Sequence, residues 1–182
     1  MLSREDWIEA ALHALADGGP PAVAVERLAA RLQTTKGSFY WHFKDREELI
    51  AAALTTWERD ATDALIEQAR GIADPVERLR QLMIVATELE EEEHPDVRLL
   101  PSASDPIVGE VVKRVQRKRL DFLAQAFRDA GFPPAESRLR ARLAYSLYLG
   151  WFQQRLIDDA DRTNQRERAA YRRRAIEIVT AR

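Results

Sequence analysis

Apolar residues recur at helical spacing along almost the whole chain, and this feature constrains the fold most. The first segment places Ile8, Ala11, Leu12 and Leu15 on one helical face, and comparable patterns follow in the later segments. No segment alternates apolar and polar residues as a half-buried strand would. The sequence therefore predicts an all-α protein.

Capping residues and chain breaks divide this pattern into helices. Capping-box signatures mark the start of the first helix and of a long fourth helix that reaches about residue 70, and they pair Ser3 with Asp6 and Asp45 with Glu48. Thr35 is a suitable N-cap for a short third helix over residues 36–43. Further helices are predicted at roughly 75–92, 104–130, 135–158 and 163–181.

Composition narrows the class of protein. With 182 residues the chain is long enough for one domain or two small ones, and its 46% hydrophobic and 32% charged content is that of a folded globular protein. The absence of cysteine excludes disulfide frameworks, zinc fingers and thiol nucleophiles. An acidic start and the lack of a long apolar run give the expectation of a cytoplasmic protein.

The composition of the chain shifts over about residues 46–70. We expect a small three-helix unit over residues 1–46 and a larger helical body over residues 47–182, joined by the long fourth helix. Net charge also differs along the chain. Residues 23–46 carry five basic and two acidic side chains, whereas the whole chain has a net charge of -2. A basic patch on an otherwise acidic chain is typical of a nucleic-acid contact surface.

The N-terminal unit has the organisation of a helix-turn-helix. Two short helices are joined by the polar residues 33–35 and follow an amphipathic helix, and in such a motif the second short helix enters the major groove of DNA. On a wheel of this second helix, Phe39 and Phe43 point inward, while Gly37, Ser38 and Trp41 point the opposite way.

Helix propensity does not account for the residues of this short helix, because a glycine inside it costs ~1 kcal/mol. An aromatic cluster in a helical core would explain the two phenylalanines. It would leave Lys36, Tyr40 and His42 unexplained, and these side chains can donate hydrogen bonds to phosphate oxygens. We therefore favour contact with DNA.

The stretches Val25–Ala29 and Thr35–Leu49 closely resemble the DNA-binding region of the TetR family of bacterial transcriptional regulators, and the similarity covers about residues 4–55. The most specific part is the string that starts at Lys36 and ends at Lys44. The resemblance implies an all-helical protomer with a ligand cavity in the body, a homodimer built by the last two long helices, and a pseudo-palindromic DNA operator.

The resemblance also implies which residues contact DNA. The positions that match family contacts are Thr35, Lys36, Ser38, Tyr40, Trp41, His42 and Lys44, with Gly37 approaching the bases and Arg46 adding a phosphate contact. Two residues depart from the family pattern. Gln33 holds a turn position where glycine is usual, and Ala24 stands where a phosphate-binding threonine is common.

The body gives coarser expectations. Leu139, Leu143 and Leu147 line one face of a helix that is apolar on other sides as well, so we expect burial against both the core and a partner subunit. Ile178 on the final helix completes the predicted dimer interface. Candidate contacts for a moderately apolar, aromatic effector are Phe122, Tyr148 and Trp151.

The acidic run Glu90–Glu93, followed by His94, allows a divalent-metal interpretation, but a solvated helix end is favoured and no metal or cofactor is expected. The sequence thus predicts a dimeric, ligand-responsive DNA-binding regulator, most simply a repressor, that performs no catalysis. The alternatives are a helical small-molecule carrier or enzyme whose body cavity is the working site, and a protein-interaction module that does not bind DNA.

Overall fold

The computed structural model describes residues 2–88, 98–157 and 165–181. Nine α-helices lie wholly within these ranges and no strand occurs in them, which confirms the all-α prediction. The helices are α1 (Arg4–Gly18), α2 (Val25–Arg31), α3 (Lys36–Tyr40), α4 (Arg46–Glu58), α5 (Ala64–Arg70), α6 (Pro75–Glu88), α7 (Pro106–Asp129), α8 (Pro134–Ile157) and α9 (Gln165–Thr180). Short 3₁₀ turns lie at Pro20–Ala22 and Leu100–Ser102.

The long fourth helix of the prediction consists of three consecutive helical segments. After α4 the backbone widens into a π-helical turn over Arg59–Asp63 and then continues as α5 to Arg70, the predicted end. The predicted extent of the third helix was wrong, because α3 ends at Tyr40 and the following residues form a turn instead of a second helical turn.

The predicted caps are present, with one change. At α1 the Asp6 N–H donates to Ser3 Oγ at 3.2 Å and the Ser3 N–H donates to Asp6 Oδ2 at 2.6 Å, so the capping box is complete. At α4 the Glu48 N–H donates to Asp45 Oδ1 at 2.8 Å. The Glu48 carboxylate accepts from the backbone of Lys44, one residue before the expected partner.

The chain separates into two compact units. Among the described residues, the first contains 2–63 and 98–115, and the second contains 64–88, 116–157 and 165–181. The first unit is therefore larger than the predicted segment 1–46, because α4 packs on α1 and the first half of α7 contributes Val108, Val112 and Val115 to the same core. No helix in the described part of the chain is long and apolar enough to cross a bilayer.

Each unit has its own apolar core. The core of the first unit is built around Trp7, Phe39, Phe43 and Leu54, all almost completely buried. The core of the second unit contains Leu79 and Phe127 with alanines from α7 and α8 and apolar residues from α9. A buried aromatic core behind a helix as short as α3 fixes that helix by tertiary packing, because so few residues cannot form a stable helix alone.

Candidate nucleic-acid interface

Two aromatic side chains fix α3 to the rest of the first unit from behind. Phe39 and Phe43 are buried, and their rings stack with centroids 5.6 Å apart. The Trp7 ring of α1 meets Phe39 edge to face at 5.4 Å. The inward orientation predicted for both phenylalanines is confirmed, so the opposite side of this segment faces away from the core.

The turn between α2 and α3 keeps a glycine-type geometry without glycine. Gln33 has a φ of 53°, and it is the sole non-glycine residue with positive φ in the described ranges. The Gln33 N–H donates to Ala30 O at 3.1 Å and the Thr34 N–H donates to Ala29 O at 2.9 Å. These two bonds form a Schellman motif that ends α2. The departure from the family pattern therefore leaves the turn intact and places a side chain in the left-handed region, at a cost of roughly 1 kcal/mol.

The two helices of the motif begin differently. The Thr35 hydroxyl accepts from the Ser38 N–H at 3.4 Å, which confirms Thr35 as the N-cap of α3. Ala24, the N-cap residue of α2, has an extended backbone and no side-chain oxygen to offer. The second departure from the family pattern thus leaves the first turn of α2 without a side-chain cap.

The outward side of α3 and the turn after it carries large side chains in solvent. Trp41 is 87% exposed and Tyr40 is 57% exposed, a rare state for aromatic residues of this size. Lys36, Gly37 and Lys44 are also exposed, whereas Ser38 and His42 are half-buried. We call the exposed residues Lys36, Gly37, Tyr40, Trp41 and Lys44 the α3 surface.

Gly37 is not required by packing within the protein. A Cβ built there would have its nearest contact 3.6 Å away, at Thr35 Oγ1, which is an ordinary van der Waals distance. Since glycine also weakens a helix, the fold itself gives no reason for a glycine at this position. Its absent side chain leaves the backbone of α3 open to close approach from outside.

Lys36 pairs with an acidic residue of the preceding helix. Its Nζ lies 2.5 Å from Glu26 Oε1, and both side chains are exposed. The hydrogen bond to Lys36 is the main cause that holds the pKa of Glu26 below its usual range, and the same bond raises the pKa of Lys36. Sequence reasoning missed this partner. The signal was an acidic residue in the first turn of α2 opposite a lysine at the start of α3.

Arg46 has an intramolecular role in this structure. Its Nε donates to Val23 O at 2.7 Å and its Nη2 donates to Pro20 O, so the half-buried guanidinium ties α4 to the connection between α1 and α2. These bonds account for an arginine at this position without any DNA. The phosphate contact expected of Arg46 remains a prediction.

Arg4 is a basic residue beside the α3 surface that the sequence analysis did not select. Its guanidinium lies 4.4 Å from the centroid of the Phe43 ring and 3.6 Å from Glu48 Oε1. The N-terminal end of α1 is thereby held near the turn that follows α3. The sequence does not reveal this contact, because Arg4 and Phe43 lie at opposite ends of the N-terminal segment and no spacing pattern links them.

The effector candidates lie in the second unit, in two different surroundings. Tyr148 and Trp151 are buried, and Tyr148 contacts Tyr145 and Phe152 in an aromatic row along α8. Phe122 is half-buried and lies 5.9 Å below the guanidinium of Arg70. The structure therefore supports an aromatic environment at two of the three predicted positions.

Trp151 has an additional feature that sequence could not reveal. Its indole stacks on the ring of Tyr171 at 4.5 Å, and Tyr171 Oη donates to Leu147 O at 3.2 Å. The buried Trp151 Nε1 finds no acceptor within the described residues. Burial also raises the pKa of Tyr171, which keeps that hydroxyl a donor.

Three of the four predicted dimer residues are exposed apolar side chains. Leu139 and Leu143 on α8 are 58% and 57% exposed, and Ile178 on α9 is 55% exposed. Leu147 is half-buried and packs against the core of the second unit. The three leucines therefore do not share one exposed face, because Leu147 points toward the core of its own unit.

The acidic run of residues 90–93, together with residue 94, lies outside the described residues. Its metal and solvated-helix interpretations both stay at the level of the sequence.

These features define a helix-turn-helix protein. They are an amphipathic α1, two short helices around a Schellman turn, and an exposed aromatic and basic surface on the second of these helices. Residues 8–53 match the family model described as bacterial regulatory proteins, tetR family. The N-terminal part of the chain is therefore similar to the DNA-binding region of the TetR family.

Two curated regulators are similar to this chain in sequence, and a solved structure is similar to it in fold. The chain is 28% identical to the regulator AcrR of Shigella flexneri over 83 residues, which cover 45% of this chain and 39% of AcrR. It is 27% identical to the repressor KstR2 of Mycolicibacterium smegmatis over 143 residues, which cover 72% of this chain and 68% of KstR2. The regulator FadR of Bacillus subtilis, solved with stearoyl-CoA, has the same fold, with a TM-score of 0.72, 14% identity and 98% coverage of both chains.

Proposed function

We propose that this protein is a ligand-responsive transcription regulator, acting as a repressor, that binds a pseudo-palindromic operator as a homodimer and is released by a small-molecule effector. The observation that carries the proposal is the α3 surface. Its tyrosine, tryptophan and lysines stand in solvent on a helix that two buried phenylalanines hold in place.

The chemistry of the α3 surface and its neighbours suits duplex DNA. Lys36 and Lys44 supply positive charge, and Tyr40 supplies a hydroxyl for phosphate oxygens. Gly37 allows the backbone to approach base edges, and Trp41 offers an apolar face to sugar or a thymine methyl group. Thr35, Ser38 and His42 flank these groups and complete the proposed contact set.

Two copies of α3 must reach successive major-groove faces, about 34–36 Å apart or a multiple of that distance. A stable homodimer would fix this spacing. The exposed leucines of α8 and Ile178 of α9 provide an apolar face that a second copy of the chain could bury. We therefore assign Leu139, Leu143 and Ile178 to the dimer interface, with Leu147 supporting it from within the protomer.

The second unit is the proposed effector-binding part. Its aromatic row and the buried Trp151 Nε1 donor suit an apolar ligand that carries a hydrogen-bond acceptor. An effector that binds the DNA-free arrangement more tightly shifts the population away from DNA, and a coupling of ~1–3 kcal/mol changes affinity by about 5- to 150-fold. Stearoyl-CoA, the ligand of the structurally similar FadR, is a reasonable first probe.

Selection from a genomic DNA library, followed by fluorescence anisotropy on the enriched duplex, tests the DNA-binding part of the proposal. We expect affinity to fall steeply with salt, with a log-log slope near -0.9 per neutralised phosphate. Tyr40→Ala should lower affinity about 10-fold or more, whereas Val76→Ala, at an exposed apolar site of the second unit, should leave it unchanged. Failure to enrich any duplex, or salt-insensitive binding that ignores Tyr40→Ala, would contradict the proposal and favour a protein-interaction module.

A further inference from the structure

We propose that Glu26 competes with DNA phosphate for Lys36 and thereby lowers the affinity of the protein for every DNA duplex. This inference rests on the proposed function and adds a residue that opposes binding. The geometry that carries it is the 2.5 Å contact between Glu26 Oε1 and Lys36 Nζ, which joins the first turn of α2 to the first residue of α3.

Stability does not explain this ion pair. The side chains of Glu26 and Lys36 are 67% and 51% exposed, and pairs so open to water contribute little to folding. Phe39, Phe43 and the Schellman turn already hold α3 against the first unit. The pair is therefore free to serve another purpose at the surface where DNA would lie.

The pair has an electrostatic cost when DNA binds. If Lys36 moves to a phosphate, the Glu26 carboxylate loses its partner and stays close to a polyanion. If Lys36 stays with Glu26, the protein neutralises one phosphate fewer. Either way the carboxylate weakens the contact between the start of α3 and the DNA backbone.

This cost applies to every duplex, because phosphate contacts carry no sequence information. The base contacts of a specific operator add to its affinity independently of this cost. Glu26 therefore lowers the affinity for the operator and for other DNA by a similar factor. Tight operator binding tolerates this loss, whereas weak binding to other DNA is brought closer to none.

The experiment compares Glu26→Gln, Lys36→Met and the double variant on two duplexes of equal length, the genomically selected one and one of scrambled sequence. We expect Glu26→Gln to bind both about 3- to 10-fold tighter, with a similar gain on each because the contact concerned is to phosphate, and with a salt slope steeper by up to about 0.9. In the Lys36→Met background the gain should fall below about 2-fold, because the residue over which Glu26 competes is gone.

Glu110→Gln is the matched control, since Glu110 is an exposed acid paired with a lysine, Lys113, at 3.6 Å in the same unit. It should change affinity less than about 2-fold. Circular dichroism spectra and melting temperatures should be the same for all variants, which separates these effects from misfolding.

Two results would overturn the inference alone. The first is a Glu26→Gln variant that binds DNA no more tightly than the wild type. The second is a gain in affinity from Glu26→Gln that is just as large in the Lys36→Met background, which would show only a general effect of charge. A wild-type protein that binds neither duplex would overturn the proposed function, and with it this inference.

Discussion

The protein presents large side chains to solvent on two surfaces that differ in chemistry. The α3 surface exposes Tyr40 and Trp41, whose rings carry polar groups, between lysines. The outward faces of α8 and α9 expose the aliphatic side chains Leu139, Leu143 and Ile178. The first surface can meet a charged, hydrated partner without losing hydrogen bonds, whereas the second gains from a partner only by burying apolar area. This difference supports the proposal that the first surface binds DNA and that the second binds another copy of the chain.

The largest expected effect comes from placing charge on the aliphatic surface. The double variant Leu139→Glu, Leu143→Glu should be monomeric by sedimentation velocity and should lose about 100-fold or more in operator affinity, because one copy alone cannot use both half-sites. Gln116→Glu, an exposed position on α7, is the control and should remain dimeric. A double variant that stays dimeric would remove these leucines from the interface. Leu147 is unsuitable for this test because it packs against its own core.

The two surfaces were not equally predictable from sequence. The positions of Phe39 and Phe43 in the sequence predicted which side of α3 is buried. The helical spacing of Leu139 and Leu143 predicted that these two side chains share one face of α8. The sequence did not predict the direction of Leu147, since one apolar stripe can be shared between core and surface. Contacts across the chain, such as Glu26 with Lys36, depend on how helices pack, and one sequence does not contain that information.

A second test removes an ion pair between α4 and α7 in the first unit and leaves the α3 surface unchanged. Arg114 on α7 donates from Nε and Nη2 to both carboxylate oxygens of Glu58 on α4, at 2.5–3.1 Å, and Glu58 is buried. Arg114→Met should lower the free energy of unfolding by about 3 kcal/mol in chemical denaturation, because it removes these three charged hydrogen bonds from a buried carboxylate.

Glu58→Gln should cost less than Arg114→Met, since the partly exposed Arg114 can turn to water. The slope of DNA affinity against salt should match that of the wild type in both variants, because neither residue belongs to the α3 surface. Equal stability losses for the two variants would show that burial of the carboxylate is not the main cause of the loss.

These two residues lie 56 positions apart, and nothing in the sequence pairs them. The predicted boundary near residue 46 separated them from the helix-turn-helix, whereas the structure places both in the first unit. The helix pattern and the polar residues 33–35 predicted the helix-turn-helix motif, but the sequence did not reveal the later segment that completes the core of this unit.

A smaller effect is expected in the turn that presents α3. Gln33→Gly should raise the free energy of unfolding by about 1 kcal/mol, because glycine adopts positive φ without a steric penalty. Gln33→Ala keeps the Cβ and should give no gain. Thermal unfolding of the three proteins checks the order, and a stabilised alanine variant would show that the glutamine side chain, and not the backbone, sets the cost.

The smallest effect concerns the start of α2, which also lies beside the α3 surface. Ala24→Thr supplies the oxygen that this N-cap lacks and should stabilise the protein by about 0.5–1 kcal/mol. Ala24→Val has the same shape without the oxygen and should give no such gain, so the difference between the two isolates the hydrogen bond. If the threonine also raises operator affinity while valine does not, its hydroxyl contacts phosphate, and the DNA-binding surface extends from α3 onto α2. If Ala24→Thr raises stability and leaves operator affinity constant, the DNA-binding surface ends at α3. The contrast between the DNA-binding surface and the aliphatic faces of α8 and α9 then depends only on α3 and the turn that follows it.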